Sequence, residues 1–185
     1  GSEEVKADIS APVIYYIGTK NRIWSAGGKI NPILNAPLFP HSRHKRLPNK
    51  PTKRDFISGC GMLISRKTIE TIGYFDENYF LYYEDLDYCF RAKQAGLRVY
   101  LIPSAKLWHH VSASSEGTNS PEERYWMGYS SQRYFQTHIN GLRWLIVAPW
   151  RIFHLVKTWI TLFCMGKFEA ANAFIKGNFD GKTER

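Results

Sequence analysis

The residues best suited to catalysis or metal binding form a cluster of carboxylates inside a strongly basic chain. The cluster consists of Asp76, Glu77, Glu84, Asp85 and Asp87, whereas the whole chain has a formal net charge of +9. Two adjacent carboxylates raise each other's pKa and can act as a general base, a metal ligand or a clamp on a sugar hydroxyl. The same acids could instead cap the start of a solvated helix, where the helix dipole stabilises their ionised form. Spacing alone leaves both interpretations open.

Two histidines form a second candidate for chemistry. His109 and His110 follow Trp108 in an otherwise apolar run. An imidazole there could bind a divalent metal or a diphosphate, although a single buried histidine can equally be a hydrogen-bonded core residue. Because neighbouring side chains of an extended segment face opposite ways, we expect at most one of the two histidines in a given site. HExxH, GxSxG and phosphate-loop patterns are absent from the sequence, so metalloprotease, serine-hydrolase and P-loop functions have no support.

Local patterns predict how the chain positions the acidic cluster. Leu86, Cys89, Phe90 and Lys93 recur at helical spacing, and Gly96 stands where a glycine commonly ends a helix. This periodicity predicts a helix that has Glu84 and Asp85 at, or just before, its N-terminus.

A glycine-flanked segment precedes this helix. We expect a strand, a turn at Gly59 and Gly61, a second strand, and a short helix from 66 to 72 with Ser65 as its N-cap and Gly73 as its end. The two glycines could form a bulge or tight turn, or they could allow a ligand to approach the backbone closely.

Further elements follow from hydrophobic runs and breakers. We expect strands at 11–18, around 22–25, and at 99–102, the last closed by Pro103, and another apolar run at 107–111. A helix is expected from 122 to about 138. The proline-rich stretch that ends near Lys53 predicts a long surface loop.

The tail from 142 to 163 is apolar but interrupted, and its pattern is that of an amphipathic helix. One arc holds polar residues, namely Arg151, His154, Lys157, Thr158 and Thr161, and the opposite face holds Ile152, Phe153, Val156, Trp159, Ile160 and Phe163. The basic residues and Pro149 argue against a membrane-spanning helix. The tail could therefore lie in the headgroup plane of a membrane, or pack on the protein's own core.

The distribution of charged residues limits the classes of partner that we expect. The positive charge suits nucleic acid, a phospholipid surface or a sugar diphosphate, but the stretch 41–54 carries the basic residues while acids occupy 76–87. This separation and the lack of a recognition motif lead us to expect no nucleic-acid partner.

Cys60, Cys89 and Cys164 form no CxxC pair, which indicates a reducing compartment without a disulfide framework. The Gly1-Ser2 start is expected to be a vector-derived remnant of a chain cut from something longer.

Six segments, taken in order, resemble the C-terminal half of family-two glycosyltransferases with the GT-A fold, and in particular their bacterial rhamnosyltransferase-like branch. They are RIWSAGG from Arg22, SGCGMLISR from Ser58, IGYFDE from Ile72, FLYYEDLD from Phe80, RAKQAG from Arg91 and the Trp108-His109 pair. The resemblance is strong over 11–115 and weak over the helical tail.

This resemblance implies an α/β fold, specifically a partial GT-A (nucleotide-diphospho-sugar transferase-like) mixed sheet with flanking helices and a C-terminal amphipathic helical tail. The expected parts are a flexible lead at 1–10, the acceptor-side part of the catalytic domain at 11–138, and a helical, membrane-associated tail at 139–185.

The resemblance also implies an activity and roles for residues. The family transfers a sugar from a nucleotide-diphosphate donor to a glycan or lipid-linked acceptor with inversion, and it needs Mg²⁺ or Mn²⁺. In that pattern Asp85 is the general base, Glu84 positions the acceptor or the base, and His109 contacts the metal or the diphosphate. The implied substrate-binding residues are Trp24, Gly59, Cys60, Gly61, Tyr83 and Asp87.

The resemblance has one departure, because nothing before Ala11 supplies the family's nucleotide-binding half with its Asp-x-Asp motif. We therefore expect the isolated chain to be inactive and to self-associate through an exposed truncated face. The expected location is cytoplasmic, peripheral on the inner face of the cell membrane. The alternative function is a non-catalytic glycan-binding module at the membrane periphery.

Overall fold

The computed structural model describes residues 5–38, 47–110 and 118–182, and the chain forms two compact units. The first unit comprises Gly1–Asn31, Ala36–Asp76 and Glu84–Val111. The second comprises Pro32–Asn35, Glu77–Tyr83 and Ser112–Arg185. The expected parts 1–10, 11–138 and 139–185 stay predictions.

A mixed five-stranded sheet organises the first unit. Its strands are β1 (Ile9–Tyr16), β2 (Ile23–Ser25), β5 (Thr52–Lys53), β6 (Leu63–Ile64) and β7 (Val99–His109), and β3 (Lys29–Ile30) and β4 (Pro37–Leu38) form a separate pair. The order is β2-β1-β7-β5, with β6 also on β1. β1 and β7 run parallel, whereas β2, β5 and β6 pair antiparallel to their neighbours. The prediction of a mixed α/β sheet with flanking helices is confirmed.

β1 is the central strand, and its composition explains its position. Ile9, Val13 and Ile14 are almost fully buried, since strand neighbours on both sides and covering elements enclose a run of β-branched residues. Val13 also packs with Leu101 of β7 in one core cluster. The strand predicted at 11–18 is therefore present, with its bounds at Ile9–Tyr16.

β7 is longer than predicted, because Pro103 does not end it. The register with β1 passes from Pro12 opposite Ile102 to Val13 opposite Lys106, so three residues of β7 bulge out of the ladder at 103–105. Proline has no N–H to donate, and a position inside a bulge requires none. The predicted short strand and the apolar run that follows it are consequently one strand.

The long loop predicted up to Lys53 is also partly wrong, since it contains the short strands β3, β4 and β5. Residues 39–46, which hold much of its basic sequence, lie outside the described residues. Arg54 at the end of the basic stretch is buried, and its Nε donates a 2.9 Å hydrogen bond to the Ala26 carbonyl. Arg54, at least, therefore contributes to the folded structure through a buried hydrogen bond.

The helices of the first unit begin and end as predicted. α1 covers Arg66–Ile72, its N-cap Ser65 accepts a hydrogen bond from the Thr68 N–H at 3.2 Å, and Gly73 follows with a φ of 75°. α2 covers Glu84–Gln94, so both carboxylates of the Glu84-Asp85 pair lie in its first turn. These helix ends could be predicted from the sequence because capping residues and apolar periodicity act over only a few residues.

The second unit is helical. It contains α3 (Pro121–His138), α4 (Trp144–Cys164) and α5 (Phe168–Asp180), and the predicted helix at 122–138 is confirmed as α3. Leu162 of α4 packs with Ala171 and Phe174 of α5. Within the described ranges, no helix combines the length and apolar character needed to cross a membrane.

Candidate active site

The Glu84-Asp85 pair and the glycine turn are brought together in the first unit. Gly59–Gly61 forms a short 3₁₀ turn. Asp85 Oδ2 accepts the Gly59 N–H at 2.9 Å, and Asp85 Oδ1 accepts the Leu86 N–H at 2.7 Å. Two backbone donors thus fix the Asp85 carboxylate, while each of its oxygens keeps a lone pair for another partner.

Both glycines of the turn serve close packing. A Cβ on Gly59 would lie 3.3 Å from Asp85 Cβ and 3.9 Å from Glu84 Oε1. A Cβ on Gly61 would lie 3.3 Å from Pro12 of β1 and from Leu107 of β7. Gly61 therefore lets the turn sit against the sheet, and Gly59 leaves space for both acids. The close approach at Gly59 is to these side chains of the protein itself.

The two carboxyl groups have unusual proton affinities. Burial, with a further contribution from the Asp85 charge, raises the pKa of Glu84 to about 7. Glu84 Oε2 is buried and has no hydrogen-bond partner within the described part of the chain. Burial also raises the pKa of Asp85, although the hydrogen bonds from Gly59 and Leu86 act in the opposite direction. The pair can therefore hold a proton close to neutral pH, as acid-base chemistry requires.

The raised pKa of Glu84 predicts a pH-dependent stability. The folded state favours the protonated form, so Glu84 costs nothing below its unfolded pKa near 4.5 and costs most above its folded pKa near 7. We expect Glu84→Gln to remove this cost. From about pH 5 to about pH 8, the variant should gain about 1–2 kcal/mol relative to the parent, after allowance for solvent screening.

Urea unfolding of both proteins across this pH range measures the difference. Glu70→Gln is the matched control, because Glu70 is an exposed carboxylate of the same unit that pairs with Arg66 at 2.8 Å. Its difference from the parent should stay constant with pH. A constant difference for Glu84→Gln would contradict a desolvated Glu84.

Cys60 occupies the exposed middle of the glycine turn. Its Sγ lies 3.4 Å from Ser58 Oγ, and partial desolvation together with the nearby Asp85 charge raises the pKa of the thiol. The thiol is therefore protonated and a poor nucleophile at neutral pH. Its placement beside Asp85 agrees with a role in shaping the site, and its predicted substrate contact stays a prediction.

Asp87 lies inside the protein, with only 2% of its surface exposed. Its Oδ2 accepts a 2.8 Å hydrogen bond from Arg91 Nε, and Arg91 also donates to the carbonyls of Ile72 and Tyr74. The ion pair ties α2 to the segment that follows α1. Direct contact of Asp87 with a substrate stays a prediction, whereas its structural role is evident.

Trp24 and His109 meet on the sheet. Trp24 of β2 and His109 at the end of β7 have ring centroids 5.0 Å apart, and both side chains are half-buried. The neighbouring Trp108 is 51% exposed and stacks on Tyr15 of β1 at 5.7 Å. An exposed indole on a rigid strand can stack on a sugar ring, which sequence reasoning did not single out.

Tyr83 belongs to the second unit, where its ring lies 5.5 Å from that of Tyr134. Tyr82 and Tyr83 both have a φ of 65°, in the left-handed region that costs a non-glycine residue about 1–2 kcal/mol. Such strain is concentrated at functional sites, and here it directly precedes Glu84 in the chain. The sequence gives no signal for it, since neither tyrosine is a residue that favours this conformation.

The donor set of a metal site is incomplete in the described ranges. These residues include no group of three or more His, Cys, Asp or Glu side chains that could hold a metal ion. His109 remains a single candidate ligand. A divalent ion would therefore need further ligands from beyond the described residues.

Comparison with known proteins places this site in a family. Residues 41–173, well over half of the chain, match the model of the glycosyl transferase family group 2. The chain belongs to this family. The matched span contains the glycine turn, the Glu84-Asp85 pair and His109, and it extends through α4 into α5. Family membership therefore covers the helical tail as well, where the motif resemblance was weak.

Individual relatives point to the rhamnosyltransferase-like branch. The chain is 36% identical over 85 residues to an N-acetylglucosaminyl-diphospho-decaprenol L-rhamnosyltransferase of Mycobacterium tuberculosis, covering 43% of this chain and 28% of that protein. It is 31% identical over 83 residues to a dTDP-rhamnosyl transferase of Shigella flexneri, covering 41% and 28%. It is 29% identical over 99 residues to an O-antigen biosynthesis protein of Myxococcus xanthus, covering 48% and 8%. The chain thus spans less than a third of these curated relatives.

Proposed function

We propose that this chain is the acceptor-side half of an inverting glycosyltransferase, which moves a sugar from a nucleotide-diphosphate donor to a glycan or lipid-linked acceptor. One observation carries the proposal: within the family-matched span, Gly59 holds the Asp85 carboxylate beside the desolvated Glu84. A fixed carboxylate with raised proton affinity is what acid-base catalysis of this reaction needs.

Asp85 is the general base in this proposal. The acceptor hydroxyl gives its proton to a free lone pair of Asp85 as its oxygen attacks the anomeric carbon. The bond between that carbon and the diphosphate oxygen breaks, and the nucleotide diphosphate leaves with the electron pair. The Gly59 and Leu86 N–H groups keep the carboxylate oriented during the transfer.

Glu84 positions the acceptor. The partly exposed carboxyl group of Glu84 can donate a hydrogen bond to a sugar oxygen when protonated, or accept one from a hydroxyl when ionised. The raised pKa makes both states accessible near neutral pH.

Mg²⁺ or Mn²⁺, when bound in the complete enzyme, would neutralise the departing diphosphate. His109 is the residue of this chain that we propose as one of its ligands, and the remaining ligands would have to come from outside the described residues. The rhamnosyl names of two relatives make dTDP-rhamnose the first donor to test.

Sugar-transfer assays test the proposal directly. We expect metal-dependent release of nucleotide diphosphate, and an inverted product, from a protein that joins this chain to its nucleotide-binding half. The 185-residue chain alone should show no turnover, because its described residues do not complete a metal site for the donor diphosphate. Metal-dependent transfer by the isolated chain would contradict the half-site assignment, and no transfer by the joined protein with any nucleotide sugar would contradict the function.

The second candidate is a non-catalytic glycan-binding module, which the exposed Trp108 on Tyr15 favours. The two functions differ in whether Asp85 is needed for turnover. Self-association through the sheet edge stays a prediction; Leu63 of the edge strand β6, which is 63% exposed, is the apolar residue that would support it.

A further inference from the structure

The orientation of α4 is the reverse of that of an ordinary surface helix, because its central cation faces inward. Arg151 donates hydrogen bonds to Ser131 Oγ at 3.1 Å, to Gln132 Oε1 at 2.7 Å and to Asn178 Oδ1 at 3.0 Å. Its guanidinium also lies 4.3 Å from the centroid of the Phe135 ring. Burial lowers the pKa of Arg151 to about 10, so the side chain stays charged at neutral pH. These contacts lock one face of α4 against α3 and α5.

The opposite face of α4 is apolar and open to solvent. We call it the α4 outer face, and its members are between 47% and 74% exposed: Leu145, Ile146, Ile152, Phe153, Val156, Ile160 and Phe163. From 145 to 163 the helix rises about 27 Å. Soluble monomers rarely leave so long a continuous apolar surface uncovered, which indicates an interaction site.

The charges beside this face select its partner. From Ile139 to Phe168 the sequence contains four Lys and Arg residues and no Asp or Glu. Among them, Lys157 is exposed on α4, and Arg143 is exposed just before it. Two copies meeting through this face would bring like charges together, whereas an anionic lipid surface would attract them.

We infer that the α4 outer face docks on an anionic phospholipid surface, with the helix lying in the headgroup plane. The apolar side chains enter the boundary between headgroups and acyl chains, and Lys157 contacts lipid phosphates. Because Arg151 is held by hydrogen bonds to α3 and α5, the apolar face stays outward without lipid. This inference does not depend on the proposed sugar transfer, since it rests on α4 alone.

Vesicle sedimentation of the 185-residue chain tests the inference. We expect binding to vesicles of phosphatidylcholine mixed with phosphatidylglycerol, and much weaker binding to phosphatidylcholine alone. The triple variant Ile152→Ser, Phe153→Ser, Ile160→Ser should bind about 100-fold more weakly, because three partly inserted apolar side chains are lost. Lys157→Glu should lose about tenfold, and only on the anionic vesicles at low salt.

The matched control replaces three apolar residues of similar exposure elsewhere, with Ile17→Ser, Leu63→Ser and Phe80→Ser, and it should bind like the parent. Circular dichroism should show a folded triple variant, since its changed residues are exposed. Equal sedimentation of the triple variant and the parent would overturn the inference. So would a parent that forms dimers, which the triple variant disperses, without binding vesicles.

Discussion

Asp85→Asn in the complete enzyme is expected to lower kcat about 10³-fold, which is the usual contribution of a positioned general base. Asparagine has nearly the same shape, and its carbonyl oxygen can still accept the Gly59 N–H. It cannot take a proton from the acceptor hydroxyl. KM for the acceptor should change much less than kcat, because binding contacts are retained.

Asp85→Asn is also expected to lower the stability of the protein. Both Asp85 oxygens accept backbone N–H groups, and asparagine can satisfy only one of them. The unpaired donor would cost about 1–3 kcal/mol of stability. Unfolding of the variant must therefore be measured beside its turnover, so that a folding defect is not taken for a catalytic one.

A pH profile separates a catalytic role of Asp85 from a structural one. In the parent, kcat/KM should rise with pH as the base ionises, and burial places this limb above the ordinary range of an aspartate pKa. The limb should disappear in the folded Asp85→Asn variant, while Glu70→Gln should keep both rate and profile. If folded Asp85→Asn turns over at the parental rate, the glycan-binding alternative or another base must replace the proposal.

Gly177→Ala is expected to destabilise the helical unit by about 2–4 kcal/mol, by over-packing. A Cβ at Gly177 would lie only 2.0 Å from the Tyr125 carbonyl oxygen, so α5 would have to move away from the backbone of α3. Alanine is a better helix former than glycine by about 1 kcal/mol, but this gain is smaller than the cost of the overlap. The steric overlap should therefore outweigh the gain in helix propensity, and the substitution should lower the free energy of unfolding.

Chemical denaturation followed by circular dichroism measures the effect of Gly177→Ala. Asn172→Ala on the same helix is the control, because Asn172 is exposed and its replacement should change stability by no more than about 0.5 kcal/mol. Hydrogen exchange should show the loss of protection in α3 and α5. A variant as stable as the parent would mean that the two helices do not approach as closely as the structure indicates.

Much of the local structure could be predicted because its causes lie within a few residues of each other. Ser65 caps α1, Gly73 ends it, and apolar spacing after Asp85 defines α2. The same motifs, in the right order, were sufficient to indicate the family. Pro103 shows the limit of such reasoning, since a breaker residue is harmless where the partner strand shifts register, and that shift depends on β1.

In the candidate site, too, some features could be predicted from the sequence and others depended on the tertiary structure. The sequence by itself determined the order of the motifs, the helix that begins at Glu84 and the amphipathic pattern of α4. Only the tertiary structure placed Gly59 on Asp85, paired the buried Asp87 with Arg91 and left Glu84 Oε2 without a partner in the described ranges.

The tertiary structure also turned Arg151 inward and the apolar face of α4 outward. Periodicity shows that a helix has two faces, but it does not show which one the protein covers. That choice depends on hydrogen-bond partners and packing surfaces distant in sequence, which for Arg151 are supplied by α3 and α5. The proton affinity of the Glu84-Asp85 pair depends on burial in the same way, because desolvation is a property of the folded surroundings.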